Sequence, residues 1–278
     1  MRYALLIVLL AASACRAAPK AAPSLPPPQI STAVRTAAPL GATTAAAATA
    51  RPSPLPAATP AEPVTVAIPA DGATLAAAYY APALSAQTGA GSAPGVVLLH
   101  MLGRTRADWE AFARELQNYG IAALAVDLRG HGASSGPEDW ARAPGDVRAA
   151  WDWLTARPEV DRTATALVGA SIGANLALIA GANNPDVTTV IALSPGLDYR
   201  GVQPAPVLAN FGGRPVFFVA SQDDAYAYDS VRQMAGQTAG GDTHYFTDAG
   251  HGTEMFRDPA LQGLLLDWLT KQLGVVKG

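Results

Sequence analysis

Gly169-Ala170-Ser171-Ile172-Gly173 is the stretch whose reading decides the fold. The apolar run Ala164–Val168 precedes it, and a helix-compatible run from about Ile172 to Ala182 follows. A serine between two glycines, where a strand turns sharply into a helix, has the form of a nucleophile elbow. Small flanking residues let strand and helix approach, so the hydroxyl is held out at the top of a sheet. It also sits at a helix N-terminus, where partial positive charge favours a developing oxyanion.

Working outward, the chain alternates between the two periodicities. Val64–Ile68 and Leu75–Tyr80 read as strands around the turn Asp71-Gly72. Val96–Leu99, Ile121–Val126, Ala164–Val168, Val187–Leu193 and Val216–Ala220 are continuous apolar runs, as expected of strands buried on both faces. Thr243–Phe246 reads as a last strand. Helical patterns fall between them: about Asp108–Tyr119, Val147–Leu154, Ile172–Ala182 and Asp229–Ala235, with Pro259–Leu273 closing the chain. Strands alternating with helices predict a three-layer, doubly wound α/β domain with a mostly parallel sheet. In such sheets chemistry sits beyond the carboxyl ends of the strands.

A serine hydroxyl needs a base. Of four histidines (His100, His131, His244 and His251), His251 lies in Gly250-His251-Gly252, after the last strand. Chain order in elbow enzymes is serine, acid, histidine, which selects it. His100 ends a buried strand and reads as a loop-shaping residue. His244 falls inside a strand. The base needs a carboxylate to hold its tautomer. Asp224 is the preferred partner, Asp223 the alternative, and Asp248 lies very near His251 in sequence. The oxyanion donors are expected to be the backbone N–H groups of Ile172 and of Leu102, with Met101 the alternative to Leu102. Met101, Leu102, Leu197 and Tyr226 are candidate pocket walls.

Taken together, the sequence resembles the α/β-hydrolase superfamily, in particular its dienelactone-hydrolase-like and small carboxylesterase branch, over about Val64 to Leu273. Five segments carry the resemblance: His100–Gly103, Asp127–Gly132, Gly169–Gly173, Ser221–Asp224 and Ala249–Gly252. The family's catalytic acid stands three positions after a small residue, which matches Ser221 to Asp224. The Asp127–Gly132 segment resembles the loop that braces the active-site floor. The chain departs from the family in two places. Methionine (Met101) follows His100 where glycine is usual, and the nucleophile is serine where dienelactone hydrolases proper use cysteine. The resemblance implies hydrolysis of carboxylic esters or lactones through an acyl-serine, without metal or cofactor. Only about twenty residues, Ser194 to Pro215, separate two strands where a lid would be inserted, so no large lid domain is expected. The competing expectations are a serine peptidase or amidase on the same fold, or a non-catalytic binding module.

The N-terminal part differs in kind. Arg2, the apolar run Ala4–Ala12 and Ser13-Ala14 read as a signal peptide over 1–14, too short for a permanent membrane span. Ala12-Ser13-Ala14-Cys15 also resembles a bacterial lipobox, which makes Cys15 a lipidation site, while Ala12-Ser13-Ala14 alone fits ordinary cleavage. Residues 15–62 are rich in Ala, Pro and Thr and read as a tether, which leaves 63–278 for the catalytic domain. The expected location is therefore the cell envelope, through a lipid anchor on Cys15, and otherwise outside the cell.

Composition excludes other classes. The 278 residues carry a formal net charge of −3, with no basic cluster of the kind nucleic-acid binding requires. Cys15 is the single cysteine, so neither an intramolecular disulfide nor a cysteine metal site can form.

Overall fold

The computed structural model of the chain describes residues 60–83 and 92–275. The expected signal peptide, Cys15 and the tether as far as residue 59 lie outside the described residues.

Eight strands form one sheet: β1 (Val64–Ala70), β2 (Ala73–Tyr80), β3 (Ala93–Leu99), β4 (Ala122–Val126), β5 (Val160–Ala170), β6 (Thr189–Leu193), β7 (Val216–Ser221) and β8 (Gly241–Phe246). Their order is β1-β2-β4-β3-β5-β6-β7-β8. The pairs β1–β2 and β2–β4 are antiparallel, and every other pair is parallel. The apolar runs are therefore central strands. Every residue of β4, β6 and β7 is buried.

Because successive side chains of a strand point to opposite faces, each apolar run feeds two cores. Val97, Leu99, Leu124 and Leu167 belong to one cluster, and their neighbours Val96, Leu98, Ala123 and Val168 to the other. Helices α2 (Ala143–Thr155), α3 (Ile172–Ala182) and α4 (Ala225–Ala235) cover the first face. Helices α1 (Glu110–Asn118) and α5 (Pro259–Gln272) cover the second. The Phe217 ring stacks on Trp268 of α5 at 4.6 Å, and the Trp268 Nε1–H donates to Thr189 Oγ1 at 2.9 Å. This is the expected three-layer α/β domain.

Element ends differ from expectation where a side chain supplies a cap or burial is not required. Helix α4 starts at Ala225, four residues before the expected Asp229, because the Asp224 carboxylate accepts from the Ala227 N–H and caps it. Helix α2 starts at Ala143. That is four residues before the expected Val147, and Pro144 falls in the first turn, where its missing N–H costs nothing. Strand β5 begins at Val160 through the polar Asp161-Arg162-Thr163, which project at its exposed end. The segment between β6 and β7 holds no lid, only a bridge between Tyr199 and Val202 and a 3-10 helix, Ala205–Phe211.

Candidate active site

The turn from β5 into α3 is as tight as its glycines imply. A Cβ on Gly169 would overlap the Gly173 carbonyl, and one on Gly173 would lie 2.5 Å from the Leu99 and His100 carbonyl oxygens. Both positions must be glycine for α3 to start against the end of β3. Between them Ser171 takes φ 54°, ψ −121°, and its N–H donates to the Leu193 carbonyl at 2.8 Å. Only three described non-glycine residues have positive φ: Ser171, Ser194 and Arg200. Such conformations cost on the order of 1–3 kcal/mol each and persist where the surroundings over-determine them. All three belong to the same site.

His251 follows β8, and its Nδ1 lies 2.6 Å from Asp224 Oδ2. The same carboxylate caps α4 through Oδ1, so two structures fix its orientation. Asp223 turns away. Its carboxylate accepts from Ser221 Oγ and, at 3.2 Å, from the Gly250 N–H, and the Ser221 bond holds it below the ordinary carboxylate range. Ser221 Oγ in turn accepts from the Ala249 N–H at 2.8 Å. Asp248 is exposed. Of the three candidate acids, Asp224 is the one on the histidine. Asp223 and Ser221 pin the backbone just before it.

Ser171, only 6% exposed, and His251 line one cavity of about 320 Å³ with Met101, Leu102 and Ile172. Asp198, Tyr199 and Arg200 form its other side. Among the described residues no hydrogen bond joins Ser171 to His251, and such bonds commonly tighten only when substrate is bound. The N–H groups of Leu102 and Ile172 have no acceptor among the described residues, and neither does that of Met101. A slightly larger hollow, about 360 Å³, opens beside Tyr80, Arg106 and Asp127. It holds no histidine, and both its carboxylates are committed: Glu110 pairs with Arg114. Asp127 accepts from the Arg106 and Ala133 N–H groups and pairs with the Arg106 guanidinium.

His100 has another environment. It is fully buried, its Nε2 accepts from the Leu128 N–H at 2.9 Å, and its Nδ1 donates to the Met101 carbonyl at 2.8 Å. Burial pushes its pKa below the ordinary value. It ties the Met101–Gly103 loop to the segment after β4. In that segment a Cβ on Gly132 would overlap the Asp127 carboxylate, and Arg129 forms a buried pair with Asp146 at 2.5 Å. His244 packs its ring on Phe246 within β8.

Two expected wall residues are placed elsewhere. Tyr226 is 47% exposed and does not line the cavity. Its hydroxyl accepts from the Asp198 N–H at 2.9 Å and donates to the Asp198 carbonyl at 3.0 Å, which turns the ring outward against Tyr199. Leu197 packs on the core, with its N–H on Ser230 Oγ. Tyr226 braces the loop 196–202 from behind, and Leu197 anchors it to the core.

That loop supplies residues the sequence reading missed. Buried Asn175, on α3, donates to the Gly196 and Val202 carbonyls at 2.8 Å each and accepts from the Gly196 N–H at 3.0 Å. A lone amide in the otherwise apolar run 172–182 was the available signal. Tyr199 presents its ring edge-on to His251, with centroids 6.1 Å apart, and its hydroxyl donates to the Ser194 carbonyl at 3.2 Å. Burial, with the Asp224 charge nearby, pushes the Tyr199 phenol above its ordinary value. Ser194 is fully buried, and its Oγ accepts from the Gly252 N–H at 2.9 Å. The end of β6 is thereby tied to the histidine loop.

Comparison with known proteins agrees with this geometry. Residues 92–224 match the family model described as serine aminopeptidase, S33 (Hydrolase_4), a span that includes Ser171 and Asp224 and stops before His251. Two uncharacterized proteins from strains of Mycobacterium tuberculosis are 30% identical over 104 residues, 37% of this chain and 37% of each of theirs. The chain thus matches little more than a third of the length of these curated relatives. Among solved structures, the α/β hydrolase GrgF from Penicillium aligns with TM-score 0.66 at 17% identity, over 77% of this chain and all of that one. Est1E from Butyrivibrio proteoclasticus, with ferulic acid bound, aligns with TM-score 0.65 at 17% identity, over 75% of this chain and 99% of that one. Dienelactone hydrolase from Anabaena variabilis gives 0.61 at 18%, over 78% and 99%. Strand order, crossovers and elbow together make the described domain an α/β-hydrolase by fold.

Proposed function

We propose that the protein is a serine hydrolase that cleaves carboxylic esters through an acyl-Ser171 intermediate. The observation that carries this reading is the 2.6 Å contact between His251 Nδ1 and Asp224, at the edge of a cavity into which the strained Ser171 also opens. The His251 side chain is 34% exposed, so its ring reaches that cavity.

In this mechanism the ester carbonyl sits over Ser171. Ser171 Oγ attacks the carbonyl carbon while His251 Nε2 takes the hydroxyl proton, and Asp224 stabilises the imidazolium that forms. Negative charge gathers on the carbonyl oxygen, where the Leu102 and Ile172 N–H groups and the positive end of α3 receive it. His251 returns the proton to the leaving alkoxide as the tetrahedral adduct collapses. A water, deprotonated by the same histidine, then attacks the acyl-serine and releases the acid.

The test is labelling of the purified protein by a fluorophosphonate probe, beside Ser171→Ala and His251→Ala. Strong labelling of the parent alone is expected. A folded parent that resists the probe and hydrolyses no p-nitrophenyl ester would sink the reading. A second reading, amide cleavage, draws on the serine aminopeptidase description of the matching model. Turnover of aminoacyl p-nitroanilides faster than of p-nitrophenyl esters would favour it.

Export and lipid anchoring at Cys15 belong to the same proposal and rest on the sequence of residues 1–15 alone. Mass spectrometry of the membrane-extracted protein tests them, and an unmodified Cys15 thiol removes the anchor.

A further inference from the structure

The side of the cavity formed by the loop after β6 carries charge that the reaction does not use. Asp198 and Arg200 both line the space beside Ser171 and His251. Their states are opposite. The Asp198 carboxylate is consumed by its own loop: Oδ1 accepts from the Gly201 N–H at 2.7 Å, and Oδ2 from Gln203 Nε2 at 2.7 Å. These bonds hold it below the ordinary carboxylate range. Arg200 is exposed and has no hydrogen bond, ion pair or ring contact among the described residues. Every other described arginine has one. Arg104, Arg106, Arg114, Arg129, Arg142, Arg148, Arg162, Arg232 and Arg257 face carboxylates. Arg157 lies over Trp153, and Arg214 donates to backbone carbonyls.

The backbone places Arg200 there at a cost. It takes φ 56°, a conformation that glycine adopts freely and arginine does not, and glycine stands at the next position. The loop cannot relax by swinging away. Asn175 holds both its ends, and Tyr226 and Ser230 hold its middle. Arg200 thus brings to the lining of this cavity a positive charge that no carboxylate, carbonyl or ring of the described residues neutralises.

We infer that Arg200 is a specificity residue that receives a single carboxylate on the substrate, so that the preferred esters are monoanions with a short acyl chain ending in a carboxylate. Guanidinium geometry matches a carboxylate in bidentate form. Met101 and Leu102 across the cavity offer apolar surface to the connecting methylenes. The volume, about 320 Å³, admits only a short chain and sits at the low end for small-molecule sites. The neighbouring Asp198 charge sets the limit at one: a second negative charge on the ligand would meet it.

The inference rests on ester hydrolysis at Ser171, and the experiment separates the two. Full-length protein is assayed with p-nitrophenyl hemiglutarate and p-nitrophenyl valerate, which match in chain length and differ in the terminal carboxylate. The parent prefers the hemiglutarate in kcat/KM. Arg200→Gln lowers that preference about tenfold or more, chiefly through KM. Arg200→Lys retains part of it, and added salt reduces it. No preference in the parent, or a preference that survives Arg200→Gln, overturns the inference while leaving the esterase reading standing. If no ester is turned over, the esterase reading falls, and binding decides for Arg200. Ser171→Ala protein is titrated calorimetrically with monomethyl glutarate, and Arg200→Gln on that background weakens binding about tenfold. Equal affinity in both, or no binding to either, overturns the inference.

Discussion

His100 and His251 occupy comparable places, each just beyond the end of a strand in the same sheet, yet their surroundings give them opposite uses. Both nitrogens of His100 are spent on backbone, on Leu128 N–H and Met101 O, and the ring has no access to solvent. His251 spends one nitrogen on Asp224 and is a third exposed. A buried imidazole whose acceptor nitrogen already holds an N–H has nothing left with which to take a proton. One with a carboxylate behind it and a cavity in front has a nitrogen free for the proton transfer proposed above. What a histidine does here is decided by what its second nitrogen faces.

That contrast can be broken by experiment. The largest expected effect is on chemistry. His251→Ala and Ser171→Ala each lower kcat/KM for a p-nitrophenyl ester by about a thousandfold or more, with folding intact by circular dichroism. If His100→Ala removed activity as completely without loss of stability, the division of roles would be wrong. Next comes the acid. Asp224→Asn lowers kcat by roughly a hundredfold or more, since it removes the charge behind the imidazole. Asp223→Asn, which only weakens the bonds from Ser221 Oγ and the Gly250 N–H, costs much less, and equal losses in steady-state assays would erase the distinction between the two carboxylates.

The effects on stability are smaller. His100→Ala leaves the buried Leu128 N–H without an acceptor and destabilises the fold by about 1–3 kcal/mol in urea unfolding, with little change in kcat. His100 also predicts a pH dependence. Its folded pKa lies below the ordinary value, so the unfolded chain binds a proton that the folded one refuses. The contribution is fully present above about pH 6.5 and is lost as pH falls toward the folded value, at no more than about 1.4 kcal/mol per pH unit. Urea midpoints at pH 7 and pH 5 measure it, and the His100→Ala variant flattens the difference. The smallest effect is Tyr226→Phe. It removes two hydrogen bonds at an exposed residue and lowers stability by about 1 kcal/mol or less, read as a small shift in Tm.

How much of this was legible in the sequence follows from how local each rule is. The elbow could be read because the reason for Gly169 is a steric clash with Gly173 four residues on, although Gly173 itself is required by the distant Leu99 and His100 carbonyls. The sheet could be read because β4, β6 and β7 are apolar at every position, and the expected helix Ile172–Ala182 matches α3 at both ends. Asp224 was harder. Asp223 and Asp224 look alike in sequence, and the choice depends on which one caps α4, which in turn depends on where α4 begins. The expected start at Asp229 concealed that cap. The loop 196–202 was not legible, because what shapes it is Asn175, more than twenty residues earlier. For the same reason Tyr226 was expected in the pocket: its position after the acid was visible, but its two bonds to Asp198 were not.

Asn175 has one more consequence. It stands one turn into the helix that Ser171 begins, and its amide grips both ends of the loop that carries Tyr199 and Arg200. Ser171, the proposed nucleophile, and the cavity wall are thus mounted on one strut. Opening of that wall would need three buried hydrogen bonds to break together, so the Gly196 amide proton should exchange with deuterated solvent about as slowly as those of α3 itself.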